Sequence, residues 1–175
     1  MAAHVLDPSD LPSMAGAALN PFVIIDGAAE LIDFVVEVLG GVEISEARTP
    51  TPQGQLIHAE VVLGDAHLMV ADRLDGWPVH PGLLQLWVDD VAATMSDAVV
   101  RGARIVTPAT PFYGETTLGR MVDPWGNLWW LYAPAPGQPD PIPAWEGGDP
   151  VVFRTIDAEM RSRGGSEHGP PDRTR

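Results

Sequence analysis

The chain has 175 residues and 45% apolar content, enough to bury one substantial core. It contains neither cysteine nor lysine, which excludes disulfides, thiolate catalysis, cysteine-ligated zinc, Schiff-base chemistry and the lysine of a phosphate-binding loop. A formal net charge of −14 makes nucleic acid and anionic membranes poor partners. With no run of about 18 apolar residues to span a bilayer and no basic, apolar-centred signal at the start, a cytoplasmic location is expected.

Residues 1–19, rich in Ala, Pro and Ser, read as a flexible leader. Phe22 to Ile25 is a short apolar run that predicts a strand, and Ala28, Leu31, Ile32, Val35 and Leu39 then mark one face of a helix that Gly40-Gly41 ends. A strand is expected near Val42 to Ala47, a turn around Pro50 to Gly54, and two strands, Gln55 to Leu63 and Ala66 to Ala71, folded about Gly64-Asp65. The order is βαβββ. After an Asp75-Gly76-Trp77-Pro78 turn the order repeats: a strand over Leu83 to Val88, a helix face of Val91, Met95, Ala98 and Val99, and strands at Arg104 to Thr107, Leu118 to Val122 and Asn127 to Ala133.

The repeat is visible in the residues themselves, at a spacing of 62 to 63. Ile25-Asp26-Gly27-Ala28 returns as Val88-Asp89-Asp90-Val91, and Leu63-Gly64-Asp65-Ala66 is answered by Trp125-Gly126-Asn127-Leu128. One domain of two modules, 20–72 and 83–133, follows. Beyond it, residues 134–143 form a Pro-rich linker. Asp149-Pro150 reads as the cap and first turn of a short helix to about Arg161, with Val152, Phe153, Ile156 and Met160 on one side, and a disordered tail follows from Gly164.

Tandem βαβββ modules with Ile25-Asp26, Leu39-Gly40, a Phe112-Tyr113-Gly114 turn and the segment Asp123-Pro124-Trp125-Gly126-Asn127-Leu128-Trp129 resemble the vicinal oxygen chelate superfamily of glyoxalase I, extradiol dioxygenases and bleomycin resistance proteins. The PhnB-like group is the nearest match. The resemblance implies an α+β fold in which the paired modules form a curved eight-stranded mixed sheet, with a C-terminal helix added here. It also implies a ligand on the concave face and a homodimer.

Members that do chemistry usually hold a divalent metal on that face. Counted from the repeat, the family's four ligand positions fall on Asn20, Leu68, Leu83 and Trp130, and the neighbours Phe22, Met69, Gln85 and Leu131 are no better as donors. No metal or other cofactor is therefore expected at the family position. The same alignment turns Phe22, Ile24, Gln85, Trp87, Leu128, Trp130 and Tyr132 toward the cavity, as an apolar cup or as ordinary core. With an acidic surface around it, such a cup suits a planar or cationic small molecule, since a tryptophan face favours cations by about 0.5 to 2 kcal/mol.

Two functions are compatible with these residues. The first is a metal-independent binding protein of the bleomycin-resistance kind, sequestering a natural product in antibiotic resistance. The second is a glyoxalase-like isomerase, lyase or dioxygenase with a displaced metal site or acid/base pair. For that role His58 and Glu60 share one strand face at i and i+2, a spacing that equally describes a solvated polar face. Tyr113 and Glu115 are the further acid/base candidates. His67 takes the position of Trp129 in the repeat and so is expected away from them.

Overall fold

The computed structural model describes residues 17–143, 146–147 and 151–164. In chain order the elements are β1 (Phe22–Ile25), α1 (Ala28–Leu39), β2 (Val42–Glu43), β3 (Thr49–Pro50), β4 (Leu56–Leu63), β5 (Ala66–Asp72), β6 (Leu83–Trp87), α2 (Val91–Val100), β7 (Arg104–Phe112), β8 (Thr116–Val122), β9 (Leu128–Pro134) and α3 (Val151–Gly164). The strand expected over Val42 to Ala47 is only two residues long, because Ser45–Ala47 turns into a single 3-10 turn. Conversely, β7 runs past Pro108 and Pro111 to Phe112. It is an edge strand, whose outward N–H groups need no partner, and a register shift between Thr107 and Thr110 spans Pro108.

Asp72 builds the first module. Its carboxylate accepts hydrogen bonds from Gly27 N and Ala28 N through one oxygen and from Leu56 N through the other, at 3.1, 2.9 and 2.6 Å. A side chain from β5 thus caps the N-terminus of α1, which has no local cap, and places negative charge against the helix dipole. In the second module the cap is local, with Asp90 accepting from Ala93 N at 3.0 Å.

The strands form two mixed sheets, ordered β1-β5-β4-β2 with β3 against β4, and β6-β9-β8-β7. Their edges β1 and β6 do not pair along their length. Instead the linker joins them: His80 exchanges both backbone hydrogen bonds with Ile24, and Gly82 O accepts from Leu128 N at 2.8 Å. One core underlies both, with Leu31, Ile32 and Val35 of α1 packed with Val61 and Val70, and Val91, Met95 and Ala98 of α2 packed with Met121 and Leu131.

Gly119 permits the second packing. A Cβ there would stand 2.5 Å from both Met95 Sδ and Val91 Cγ1, so α2 rests directly on the β8 backbone. Gly119→Ala should therefore cost about 1–3 kcal/mol, read as a lower urea midpoint at unchanged slope.

The C-terminal helix differs from its expected form. Asp149-Pro150 and residues 165–175 lie outside the described residues, as do residues 1–16 of the leader, while Gly164 closes the helix. Phe153 and Met160 are 42% and 43% exposed, and the buried stripe is Val152 and Glu159, with Thr155 between. The reason lies beneath it: α3 crosses β7 and β8 on the side away from α1 and α2. There it meets Arg104, Thr107 and Arg120 rather than an apolar surface.

Candidate functional site

Strand alternation gives each sheet a face turned away from α1 and α2. Val23 and Ile25 are in the core, so Phe22 and Ile24 point to this cup face, and the register brings Met69, Ala71, Glu60 and His58 to the same side. In the second sheet Trp129, Leu131 and Ala133 are in the core, which leaves Leu128, Trp130 and Tyr132 of β9 on the cup face beside Leu83, Gln85 and Trp87 of β6. All seven residues expected at the cup therefore lie on this face. Leu128 is wholly buried, however, and only Phe22, Gln85 and Trp87 are exposed.

An aromatic row crosses the second half. Trp87 and Tyr132 have ring centroids 5.4 Å apart and planes tilted by 32°, and Phe112 adds an edge-on contact to Tyr132 at 6.0 Å. Trp130 is not free to stack on a ligand at both faces, since the Arg120 guanidinium lies 3.9 Å from its ring centroid. Arg120 itself is 2% exposed. Burial pulls its guanidinium below the ordinary arginine value.

The first half carries the titratable cluster. His58 Nε2 and His67 Nδ1 lie 2.9 and 2.8 Å from the two oxygens of Glu60, so each imidazole donates an N–H to the carboxylate. In the neutral ring this leaves His58 Nδ1 and His67 Nε2 as lone-pair acceptors. Phe22 packs edge-on against His58 at 6.2 Å.

Matched to Trp129 in the repeat, His67 is expected on the opposite face. The two-residue turn Gly64-Asp65 instead pairs Leu63 with Ala66 and Val62 with His67, which puts His67 on the side of Glu60. That shift also moves Leu68 into the core and leaves Met69 on the cup face, so Met69 stands where Leu68 was counted. Asn20 is engaged elsewhere, its Oδ1 accepting from His67 N at 3.0 Å. Among the described residues no group of three or more His, Asp or Glu is arranged to hold a metal ion.

The two imidazole donors, His58 first, hold the Glu60 carboxyl below its ordinary 4.5, against the opposing effect of burial. A lowered acid in the fold contributes stability that is complete above 4.5 and is lost as pH falls through the lowered value. Glu60→Gln should thus cost about 1–3 kcal/mol near neutral pH, by loss of two charge-assisted hydrogen bonds. Urea melts of both proteins down to acid should show the gap closing below pH 4.5.

Tyr113 and Glu115 sit in the β7–β8 turn of the second sheet, whereas His58 and Glu60 are on β4 of the first. Glu115, with φ of 54°, is occupied by the linker, its carboxylate accepting from Gly137 N at 3.0 Å. Two clefts border the cup. One of about 240 Å³ opens at the seam between Pro21, Leu68, Leu86, Trp87 and Trp129, and one of about 180 Å³ lies between Phe112, Tyr113, Ile142, Val152 and Phe153. No helix among the described residues is long and apolar enough to cross a membrane.

Known proteins resemble this chain in sequence and in fold. Uncharacterized proteins of Mycobacterium bovis and Mycobacterium tuberculosis are each 33% identical over 131 residues, which is 67% of this chain and 83% and 74% of theirs. Protein PA1353 from Pseudomonas aeruginosa superposes with a TM-score of 0.56 at 22% identity, covering 67% of this chain and 97% of its own. A glyoxalase family protein and a PhnB protein, both from Bacillus cereus, give TM-scores of 0.55 and 0.53 at 18% and 16% identity, covering 70% and 66% of this chain and 99% and 98% of theirs. These likenesses show a common fold. The family model of the Glyoxalase/Bleomycin resistance protein/Dioxygenase superfamily matches residues 18–131, and the chain belongs to that superfamily.

Proposed function

We propose that this chain is a small-molecule-binding member of its superfamily that works without a metal and sequesters a planar ligand in its cup. The observation that carries this reading is the row Trp87, Tyr132 and Phe112 on the cup face, with Trp87 55% exposed and so open to stack on a ring. The cup positions nearest those of the family's metal ligands, Phe22, Met69, Leu83 and Trp130, offer no imidazole or carboxylate. The exposed apolar side chains Phe22, Leu83 and Trp87 also support a homodimer that closes the cup.

A second reading rests on the His58–Glu60–His67 chain, whose free imidazole nitrogens could serve acid/base chemistry on the same ligand. The test is a thermal-shift screen of planar aromatic compounds on chelator-treated protein, repeated on Trp87→Ala and His58→Ala. Binding weakened by about 1–3 kcal/mol in Trp87→Ala supports the first reading. Turnover lost in His58→Ala with binding retained supports the second. Binding that needs added divalent metal contradicts the first.

A further inference from the structure

Among the described residues no carboxylate answers the charge of Arg120. Arg48, Arg73, Arg101, Arg104, Arg161 and Arg163 each reach a carboxylate. Arg120, the one buried arginine among the described residues, has no carboxylate at ion-pair distance there. One terminal nitrogen donates to Thr107 Oγ1 at 3.0 Å and to Val152 O at 2.8 Å, while Nε is buried with no acceptor among the described residues. A desolvated guanidinium without a counter-ion is a costly thing to keep in a fold. It lies over the Trp130 ring, on the cup face, next to the aromatic row.

What covers it is weakly seated. Helix α1 buries Ala28, Leu31, Ile32, Phe34 and Val35, whereas α3 buries a single apolar side chain, Val152. Polar ties join it to the sheet as well: Thr155 Oγ1 to Thr107 Oγ1 at 2.7 Å, Glu159 to Arg104 at 2.8 Å and Arg163 to Gly126 O at 2.9 Å. Water can replace such contacts at little cost, so α3 is easier to lift than α1. The cleft of about 180 Å³ lies where the start of α3 meets Phe112 and Tyr113.

We infer that Arg120 is the anion-recognising residue of the cup, and that α3 is a cover which yields to a small planar aromatic carboxylate. This rests on the proposed binding role of the cup and specifies its ligand class. The carboxylate would replace Val152 O and supply the acceptor that Nε lacks, in the two-pronged geometry that guanidinium favours, while the ring lies on Tyr132 and Trp87. The protein's overall negative charge does not oppose this, because surface carboxylates are screened beyond about 8 Å at physiological salt and Arg120 is desolvated.

The test is calorimetric titration of the full chain with 2-naphthoate and with its neutral isostere 2-naphthamide. Naphthoate should bind at least tenfold more tightly, and Arg120→Gln should abolish that preference with circular dichroism unchanged. The double change Arg104→Gln with Thr155→Val loosens α3 without touching the ligand's partners. It should tighten naphthoate binding several-fold, since affinity rises with the uncovered fraction. Equal binding of the two compounds would overturn the inference and leave the proposed function standing, and binding of neither would remove both. Unchanged or weaker naphthoate binding in the double variant would refute the cover.

Discussion

Asp123→Ala will destabilise the protein by at least about 1–3 kcal/mol, the cost of leaving a buried hydrogen-bonding group without its partner. Asp123 is 3% exposed and accepts four hydrogen bonds, from Trp125 N and Asn127 N through one oxygen and from Asn127 Nδ2 and Trp129 Nε1 through the other. Burial pushes its carboxyl above the ordinary range, and those four donors pull it back. Alanine would strand them all. Asn127 in turn accepts from Gly82 N at 2.7 Å, so the loss reaches the linker that joins the two sheets. A urea melt followed by far-ultraviolet circular dichroism reads the effect, and a loss under about 1 kcal/mol would mean that water replaces the carboxylate.

Trp129→Ala should cost about 3–5 kcal/mol by leaving a large cavity in the core. Trp129 is 2% exposed, belongs to the core shared by both modules and lines the seam cleft. Because its indole N–H donates to Asp123, the two substitutions share an interaction. The double variant should fall short of the sum of the single losses by about 0.5–3 kcal/mol, which a double-mutant cycle measures. Strict additivity would show that the hydrogen bond contributes nothing net.

The architecture was legible in the sequence because periodicity and repetition are local signals. The apolar spacing in Ala28 to Leu39 and the glycines after it gave α1 at its observed bounds, and the 62 to 63 residue repeat gave the second module. Where prediction failed, distant contacts decided. Nothing near Ser45 shows that the strand after Val42 stops, and the cap of α1 comes from Asp72, far along the chain.

The site was half legible. Alternation, oriented by the family resemblance, placed Trp87, Trp130 and Tyr132 on the cup face, yet matching His67 to Trp129 carried it to the wrong side, although the tight turn at Gly64-Asp65 held the correct register. Arg120 was missed altogether. An arginine between Leu118 and Val122 on alternate positions of a strand was the available signal, but its burial depends on α3, whose polar inner stripe reads as a solvated face. That burial also changes the chemistry of Trp130, whose ring meets a cation of the protein itself.

Metal-free binding in the cup, as proposed above, is read by native mass spectrometry of protein dialysed against a chelator and titrated with the tightest compound from the aromatic screen. The expected result is a complex of one ligand per chain with no additional metal mass, lost in Trp87→Ala while the apo protein stays folded. A complex that forms only when one divalent ion per chain is restored would contradict it.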